Sequence, residues 1–284
     1  MKEVLVIGAG AAGMMAAIRA AQQGCKVTVL EKGRGPGTKL NITGKGRCNV
    51  TNDCDVDTLI RNVPRNGRFL FSAFHGFTSQ DVMAFFEELG VPLKTERGQR
   101  VFPVSDRARD VSGALRDRMH RLGVRVISAR AKEILTEEGR ASGVLTAKGE
   151  RLTAQSVIVA TGGLSYPTTG SDGDGYKFAA DFGHEIIELK PSLVPLECKE
   201  AEMCSSLSGL TLKNICLNMV CTENGKTVFS KQGELLFTHF GISGPLVLSA
   251  SAHMRSFSAD KYRADIDLKP ALDVSVIDER LVGL

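Results

Sequence analysis

The feature that most constrains this chain is Gly8-Ala-Gly10-Ala-Ala-Gly13, because of what stands on either side of it. Before it, Glu3-Val-Leu-Val-Ile7 is a short apolar run suited to a buried parallel strand. After it, Met14 to Gln23 reads as a helix closed by Gly24, and Lys26-Val-Thr-Val-Leu30 as a second strand ending at Glu31. Strand, glycine turn, helix and strand together supply the context that a bare G-x-G-x-x-G lacks, that of a dinucleotide site. Each position has a physical task. Gly8 permits the tight turn, Gly10 lets a pyrophosphate approach the backbone, and Gly13 lets helix and strand pack closely. Ala11 and Ala12 open the helix, whose free N–H groups and positive dipole end face the phosphates. Glu31 would accept hydrogen bonds from ribose hydroxyls and repel a 2′-phosphate.

The motif does not choose between NAD and FAD; the next segment does. An NAD domain usually passes from its acidic residue into another crossover helix. Residues 32–52 read instead as a long loop with five glycines and, beyond Lys32, four Lys or Arg residues. Loops of this length without regular structure tend to be functional or disordered, and this one adjoins the phosphate site. A basic loop beside a dinucleotide turn favours FAD.

Glu31-Lys32 and Lys39-Leu-Asn-Ile-Thr43-Gly-Lys-Gly46-Arg47-Cys48-Asn49-Val-Thr-Asn52 resemble the signature of the HI0933-like flavoproteins, which include BaiN-type reductases and aminoacetone oxidase-like enzymes. Further blocks follow in family order at Gly98–Ser105, Ala160–Tyr176, Lys190–Leu196 and Gly233–Pro245. The resemblance implies an α/β fold: a Rossmann-like FAD-binding domain with a parallel sheet and a β-meander, interrupted by a β-rich inserted domain. It also implies that Lys32, Lys39, Thr43, Gly46, Arg47, Cys48 and Asn49 belong to the cofactor site. Ala131 is expected against the adenine, and Ala160, Thr161, Gly162 and Gly163 close to the cofactor, with Thr161-Gly162 on its pyrophosphate side. Family members continue past the point where this sequence stops at Leu284. A missing C-terminal return segment is therefore expected, with an incomplete inserted domain, weak FAD binding and no substantial turnover.

Along the chain, residues 53–123 read mainly as helix. Thr78 caps one helix, and Asp110 to Leu122 forms an amphipathic second, its arginine-rich neighbourhood (Arg97 to Arg130) read as a solvated face. From Val124 the period changes to two, in runs at 124–127, 131–136, 141–146 and 151–153, read as a meander leading into the buried strand Ser156–Ala160. Gly170-Ser-Asp-Gly-Asp-Gly175 opens a helix at Tyr176. Asp172 and Asp174 do not begin a calcium loop, because position twelve from Asp172 is Gly183. Pro191 and Pro195 mark a change of domain, giving 1–190 for the FAD-binding domain and 191–284 for the inserted one. Strand-like runs follow at 210–212, 215–221, 226–229 and 262–268, with a hairpin turn at Glu223-Asn224-Gly225.

Composition narrows the function. Residues 1–150 carry 24 Lys or Arg against 16 Asp or Glu, and residues 151–284 carry 12 against 16. A basic first half suits a ligand with two phosphates. The absence of Trp, the presence of only three Tyr, and no evident interleaving of bases and rings argue against a nucleic-acid partner. No apolar run reaches the length of a membrane span, and Met1 leads directly into the first strand without a signal peptide. Seven cysteines without C-x-x-C indicate reduced thiols in a cytoplasmic protein and no metal site.

The expected activity is an FAD-dependent oxidoreductase passing hydride or electrons between a donor such as NAD(P)H and a small organic acceptor or O2. The rival readings are an NAD-dependent Rossmann dehydrogenase and a non-catalytic FAD-binding module. No catalytic base can be named from the sequence. His239 stands either at a substrate or in a packing role, and Cys48 is a candidate redox thiol with no C-x-x-C partner.

Overall fold

The computed structural model describes residues 1–282, with the side chains of 274 and 279–281 left out. The described residues divide into two compact units, Met1–Ile187 and a second that begins at Glu188.

The first unit begins with β1 (Glu3–Ile7), α1 (Ala11–Gln22) and β2 (Lys26–Glu31). After a long loop come β3 (Thr51–Asn52), α2 (Val56–Arg61), α3 (Phe71–Gly76), α4 (Ser79–Glu88), β4 (Leu93–Glu96), β5 (Arg100–Pro103) and α5 (Ala108–Arg121). It closes with β6 (Arg125–Ser128), β7 (Ala131–Glu137), β8 (Arg140–Thr146), β9 (Arg151–Thr153), β10 (Ser156–Val159) and α6 (Asp174–Asp181). The central sheet runs β10-β1-β2-β6, and all its pairings are parallel.

Its strands are apolar because both faces are covered. Met14, Ala17 and Ile18 of α1 share one core with Val111, Leu115 and Met119 of α5 and with Val4, Val6, Val27 and Val29 of the sheet. On the other face Leu5, Ile7 and Leu30 meet Ala131, Val144 and Ala154 of the meander and Phe178 of α6. Each large apolar side chain buried this way contributes roughly 1.5–3 kcal/mol. Thr78 and Asp81 form a reciprocal capping box at the start of α4, which is why the chain turns helical there.

Three expectations change. Residues 125–128 do not join the meander: β6 is the edge of the parallel sheet, with Thr28 beside Arg125 and Leu30 beside Ile127. A four-residue edge strand shows an exposed side like any meander strand, so periodicity cannot tell the two apart. It follows that a second crossover helix does exist. It is α5, separated from β2 by the long loop and residues 53–107. Within that interval, residues 93–103 form an antiparallel hairpin rather than helix, in a sheet of order β3-β5-β4. The hairpin turns at Gly98 and Gln99, whose φ angles are +76° and +57°. A non-glycine residue in the second of those positions hides the turn from a sequence reading.

The second unit contains β11 (Leu196–Glu197), α7 (Ala201–Ser206), β12 (Thr211–Cys221), β13 (Thr227–Thr238), β14 (Gly241–Ser243), α8 (Pro245–Ser251), β15 (Tyr262–Asp267) and α9 (Val274–Val282). Its sheet is antiparallel, in the order β11-β14-β13-β12-β15. The β12–β13 hairpin turns at residues 222–226, where Gly225 has φ +65°. The Gly233–Pro245 block is the far end of β13, then β14 and the start of α8. Leu235 of this block is fully buried in one core with Leu217 and Val247.

Candidate functional site

The carboxyl ends of β1, β2 and β10 open on a cavity of about 450 Å³. Such a crevice forms where connections leave neighbouring parallel strands in opposite directions, the usual ligand position of open α/β sheets. Its wall includes Gly8, Gly10, Ala11 and Ala12 from the first turn and Glu31 and Lys32 from the end of β2. Lys39 and Thr43 come from the loop, Ala131 from β7, and Ala160, Thr161 and Gly162 from the turn after β10.

The three motif glycines have different reasons to be glycine. Gly8 has φ +99°, and a Cβ there would lie 2.6 Å from the Ala160 carbonyl oxygen. A Cβ on Gly13 would lie 1.9 Å from the Gly8 carbonyl oxygen, so α1 can sit this close to β1 only through glycine. Gly13 therefore packs the motif and does not line the cavity. Gly10 is the opposite case. Its φ of −73° suits any residue, and a Cβ there would meet nothing within 4 Å. Neither its φ nor its packing requires glycine at position 10, and the space beside its backbone is open.

The Glu31 carboxylate accepts the N–H of Ala9 at 2.8 Å and of Gly33 at 2.6 Å, joining the first turn to the start of the long loop. Each oxygen keeps a further lone pair for a ligand hydroxyl. Lys32 donates to Asp172 and, at 2.6 Å, to Asp174, and Arg130 donates to the same two carboxylates at 3.2 and 2.7 Å. The hydrogen bond from Lys32 holds the Asp172 carboxyl below its ordinary range. This cluster ties the end of β2 and the turn after β6 to the start of α6.

Lys39 differs from both. It is half-buried in the cavity wall, and its ammonium makes no hydrogen bond or ion pair with another described residue. Its ammonium lies 3.9 Å from where a Cβ on Gly162 would be. The unpaired Lys39 ammonium and the first turn of the twelve-residue α1 line the same cavity, and both are groups suited to an anion.

Of the remaining expected residues Thr43 is still in the wall, whereas Gly46, Arg47, Cys48, Asn49 and Gly163 lie outside it. The Thr43 hydroxyl donates to the Leu40 carbonyl, and at Gly44 and Lys45 the chain passes through two left-handed residues that turn it away. Gly46, at φ +85°, continues that turn. The Arg47 guanidinium stacks on the Phe102 ring, 4.1 Å from its centroid, and is paired with Glu96 and Asp106. Cys48 is buried in the main core, and burial pushes its thiol above the ordinary range. A neutral, enclosed thiol does not have the character of a redox-active one. With its amide nitrogen toward the β3–β5 strands, Asn49 donates to the carbonyls of Val101 and Thr51 at 3.1 and 3.0 Å. Gly163 packs against the Tyr176 hydroxyl, which would be 2.9 Å from a Cβ there.

Sequence reasoning missed Thr38, Ala129 and Ser171, which also line the cavity. Ser171 lies in a block already read as glycine-rich, whereas nothing marks Ala129. His239, in the second unit, is exposed and meets the Phe240 ring edge-on at 5.0 Å. Among the described residues, no three His, Cys, Asp or Glu are grouped to hold a metal, and no helix is long and apolar enough to cross a membrane.

Together these features define a Rossmann-type protein with an anion-suited cavity at its switch point. The sequence profile described as the HI0933-like protein Rossmann domain matches residues 2–250, and the chain belongs to that family. It is 31% identical over 272 residues to a ribosomal RNA dihydrouridine synthase of Haemophilus influenzae, covering 94% of this chain and 64% of that protein. It is 30% identical over 283 residues to a 3-dehydro-bile acid delta(4,6)-reductase of Clostridium scindens, covering 98% and 67%. The chain thus spans about two thirds of the length of these relatives. Among solved structures, a flavocytochrome c3 fumarate reductase in an open conformation matches 75% of this chain and 47% of its own, with TM-score 0.54 and 20% identity. That likeness is one of fold.

Proposed function

We propose that the first unit binds FAD and that the protein is an FAD-dependent oxidoreductase, passing hydride or electrons from a donor such as NAD(P)H to an organic acceptor or O2. The observation that carries this reading is the pairing of Gly10 and Lys39. One is a glycine needed only if something approaches it, the other a cation with no partner, and both stand in one cavity. The residues present fit the group. Gly10, Ala11, Ala12 and Lys39 would hold the pyrophosphate, Glu31 the ribose hydroxyls, Ala131 the adenine, and Thr161-Gly162 the pyrophosphate's other side. When bound, FAD supplies the redox chemistry, and the protein orients it. The packing of Cys48 and the Arg47 ion pairs holds the loop that carries Lys39. The names of the relatives, a bile acid reductase and a ribosomal RNA dihydrouridine synthase, support a reductive use of the site.

These names also support a second reading, in which the acceptor is a pyrimidine ring within RNA rather than a free small molecule. The strongly basic first 150 residues favour it, and it reverses the expectation of no nucleic-acid partner.

The test is a visible spectrum of the purified 284-residue chain, as isolated and after incubation with FAD, FMN or NADP, before and after NADH, NADPH and dithionite. FAD taken up in preference to FMN and NADP, even if weakly, and bleached on reduction is expected. Retention of FMN alone, or of NADP without flavin, would overturn the cofactor assignment, and bound FAD that no reductant bleaches would leave a non-catalytic module.

A further inference from the structure

Between α2 and α4 the chain presents a surface that the cavity does not use. From Thr58 to Gln80 there is no acidic residue, and within that stretch Arg61, Arg65, Arg68, Phe69, Phe71, His75 and Phe77 are all exposed. Phe69 is 86% exposed and Phe71 52%. This is the local interleaving of bases and rings that composition over the whole chain concealed. The exposure is built rather than loose. A Cβ on Gly67 would lie 2.5 Å from the Ile60 carbonyl oxygen, so the tip is pressed against α2. Asn66 adopts φ +53°, and its carbonyl accepts the Phe69 N–H at 2.9 Å. Phe71 and His75 are stacked with centroids 4.1 Å apart, and the imidazole Nδ1 is tied to the Phe71 carbonyl at 2.9 Å, which holds a flat two-ring step at the surface.

Burying such rings against an apolar partner would take the exposed Arg68 guanidinium out of water with them. A partner that carries both negative charge and flat unpaired rings satisfies the two together. Single-stranded nucleic acid has that chemistry: phosphates for guanidinium groups, and base faces for aromatic side chains. A duplex hides its base faces.

We propose that the α2–α3 tip, with Arg68, Phe69 and Phe71 at its centre, is a docking surface for single-stranded RNA. The choice of RNA as partner rests on the second reading of the function; the surface does not. Base stacking on Phe69 and phosphate contacts from Arg68 would hold a strand to the first unit.

The experiment is fluorescence anisotropy of a labelled short oligouridylate titrated with the 284-residue chain, with a duplex RNA and anionic phosphatidylserine vesicles as parallel probes. Phe69→Ala should weaken single-strand binding roughly tenfold. Arg68→Gln should lower affinity and reduce the slope of log affinity against log salt by about 0.7. Lys148→Glu, an exposed basic position on the β8–β9 turn, should have the smaller effect. Single-strand affinity unchanged in both tip variants would overturn the proposal. So would binding to vesicles without binding to RNA, or a shift in sedimentation of the wild type that Phe69→Ala removes. FAD uptake is measured on the same samples: flavin binding without RNA binding sinks this surface alone, and RNA binding without flavin sinks the cofactor reading alone.

Discussion

The first glycine turn, residues 8–13, and the basic segment 39–49 both look like cofactor loops in the sequence, yet the structure uses them differently. In the turn, function and fold are divided between alternate positions: Gly8 and Gly13 serve the backbone and Gly10 alone stays open. In the segment the division falls along the chain. Lys39 and Thr43 line the cavity, whereas Arg47 turns to Glu96 and Phe102 of β4 and β5, Cys48 to the core, and Asn49 to β3 and β5. Sequence spacing identifies a site wherever the backbone geometry is set by the motif itself. Where a left-handed turn redirects the chain, here at Gly44 and Lys45, spacing alone does not show which of the following residues stay in the cavity wall.

The sharpest way to break the comparison within the turn is Gly13→Ala. The added methyl would fall 1.9 Å from a backbone oxygen, and backbone cannot rotate away as a side chain could. Overpacking typically costs about 1–3 kcal/mol, and a clash with backbone falls at the upper end of that range. The expected result is a large drop in thermal midpoint by circular dichroism, with FAD binding lost as a consequence. A midpoint equal to wild type would show that the α1–β1 contact is looser than described.

Gly10→Val should separate binding from stability. Because its side chain enters open space and its φ is ordinary, the folded state should survive with a nearly unchanged midpoint, while FAD affinity falls about a hundredfold, near 2.7 kcal/mol. Unchanged FAD affinity would mean that no phosphate approaches position 10, and the anion reading of the turn would fail.

What could be read before the structure follows from the same distinction. The βαβ opening, the meander strands at 131–153 and the start of α6 were all legible, because apolar period and glycine position determine them locally. Edge strand β6 was not, since its partner β2 lies nearly a hundred residues earlier and only tertiary pairing assigns it. Glu31 was legible as a cavity residue, but not its hydrogen bonds to Ala9 and Gly33. The roles of Lys32 and Lys39 could not be told apart either. Both are lysines in one basic loop, and only the fold brings Asp172 and Asp174 to the first and leaves the second unpaired.

That contrast between the lysines gives the next test. Lys39→Gln should weaken FAD binding by roughly tenfold, the scale of one charge-assisted hydrogen bond, and leave stability unchanged because no partner is stranded. Lys32→Gln should act in the reverse sense, loosening the start of α6 while leaving an anion's main contacts in place. Isothermal titration with FAD and thermal melts of both variants decide the matter. Equal losses of affinity in the two would show that the Lys32 cluster opens to the ligand and that the assignment of the unpaired cation is too narrow.

The smallest expected effect concerns the far half of the segment, where Arg47 is expected to work on the fold and not on the ligand. Hydrogen bonds from Arg47 hold Glu96 below the ordinary carboxylate range, and those from Lys94 and Arg47 do the same for Asp106. A carboxyl whose pKa is depressed on folding contributes stability that is present above its ordinary value, here 4.5 for Glu96 and 3.8 for Asp106, and lost as pH falls through the depressed one. The groups are exposed, so the contribution is modest and screened by salt. Arg47→Gln should therefore bring a small loss of thermal midpoint at neutral pH. The gap to wild type should narrow as pH drops below 4 and shrink again in high salt. FAD affinity should not change, since Arg47 lies outside the cavity wall. If affinity falls while the pH profile of stability stays as in wild type, the guanidinium reaches the ligand, and both halves of the segment belong to the site.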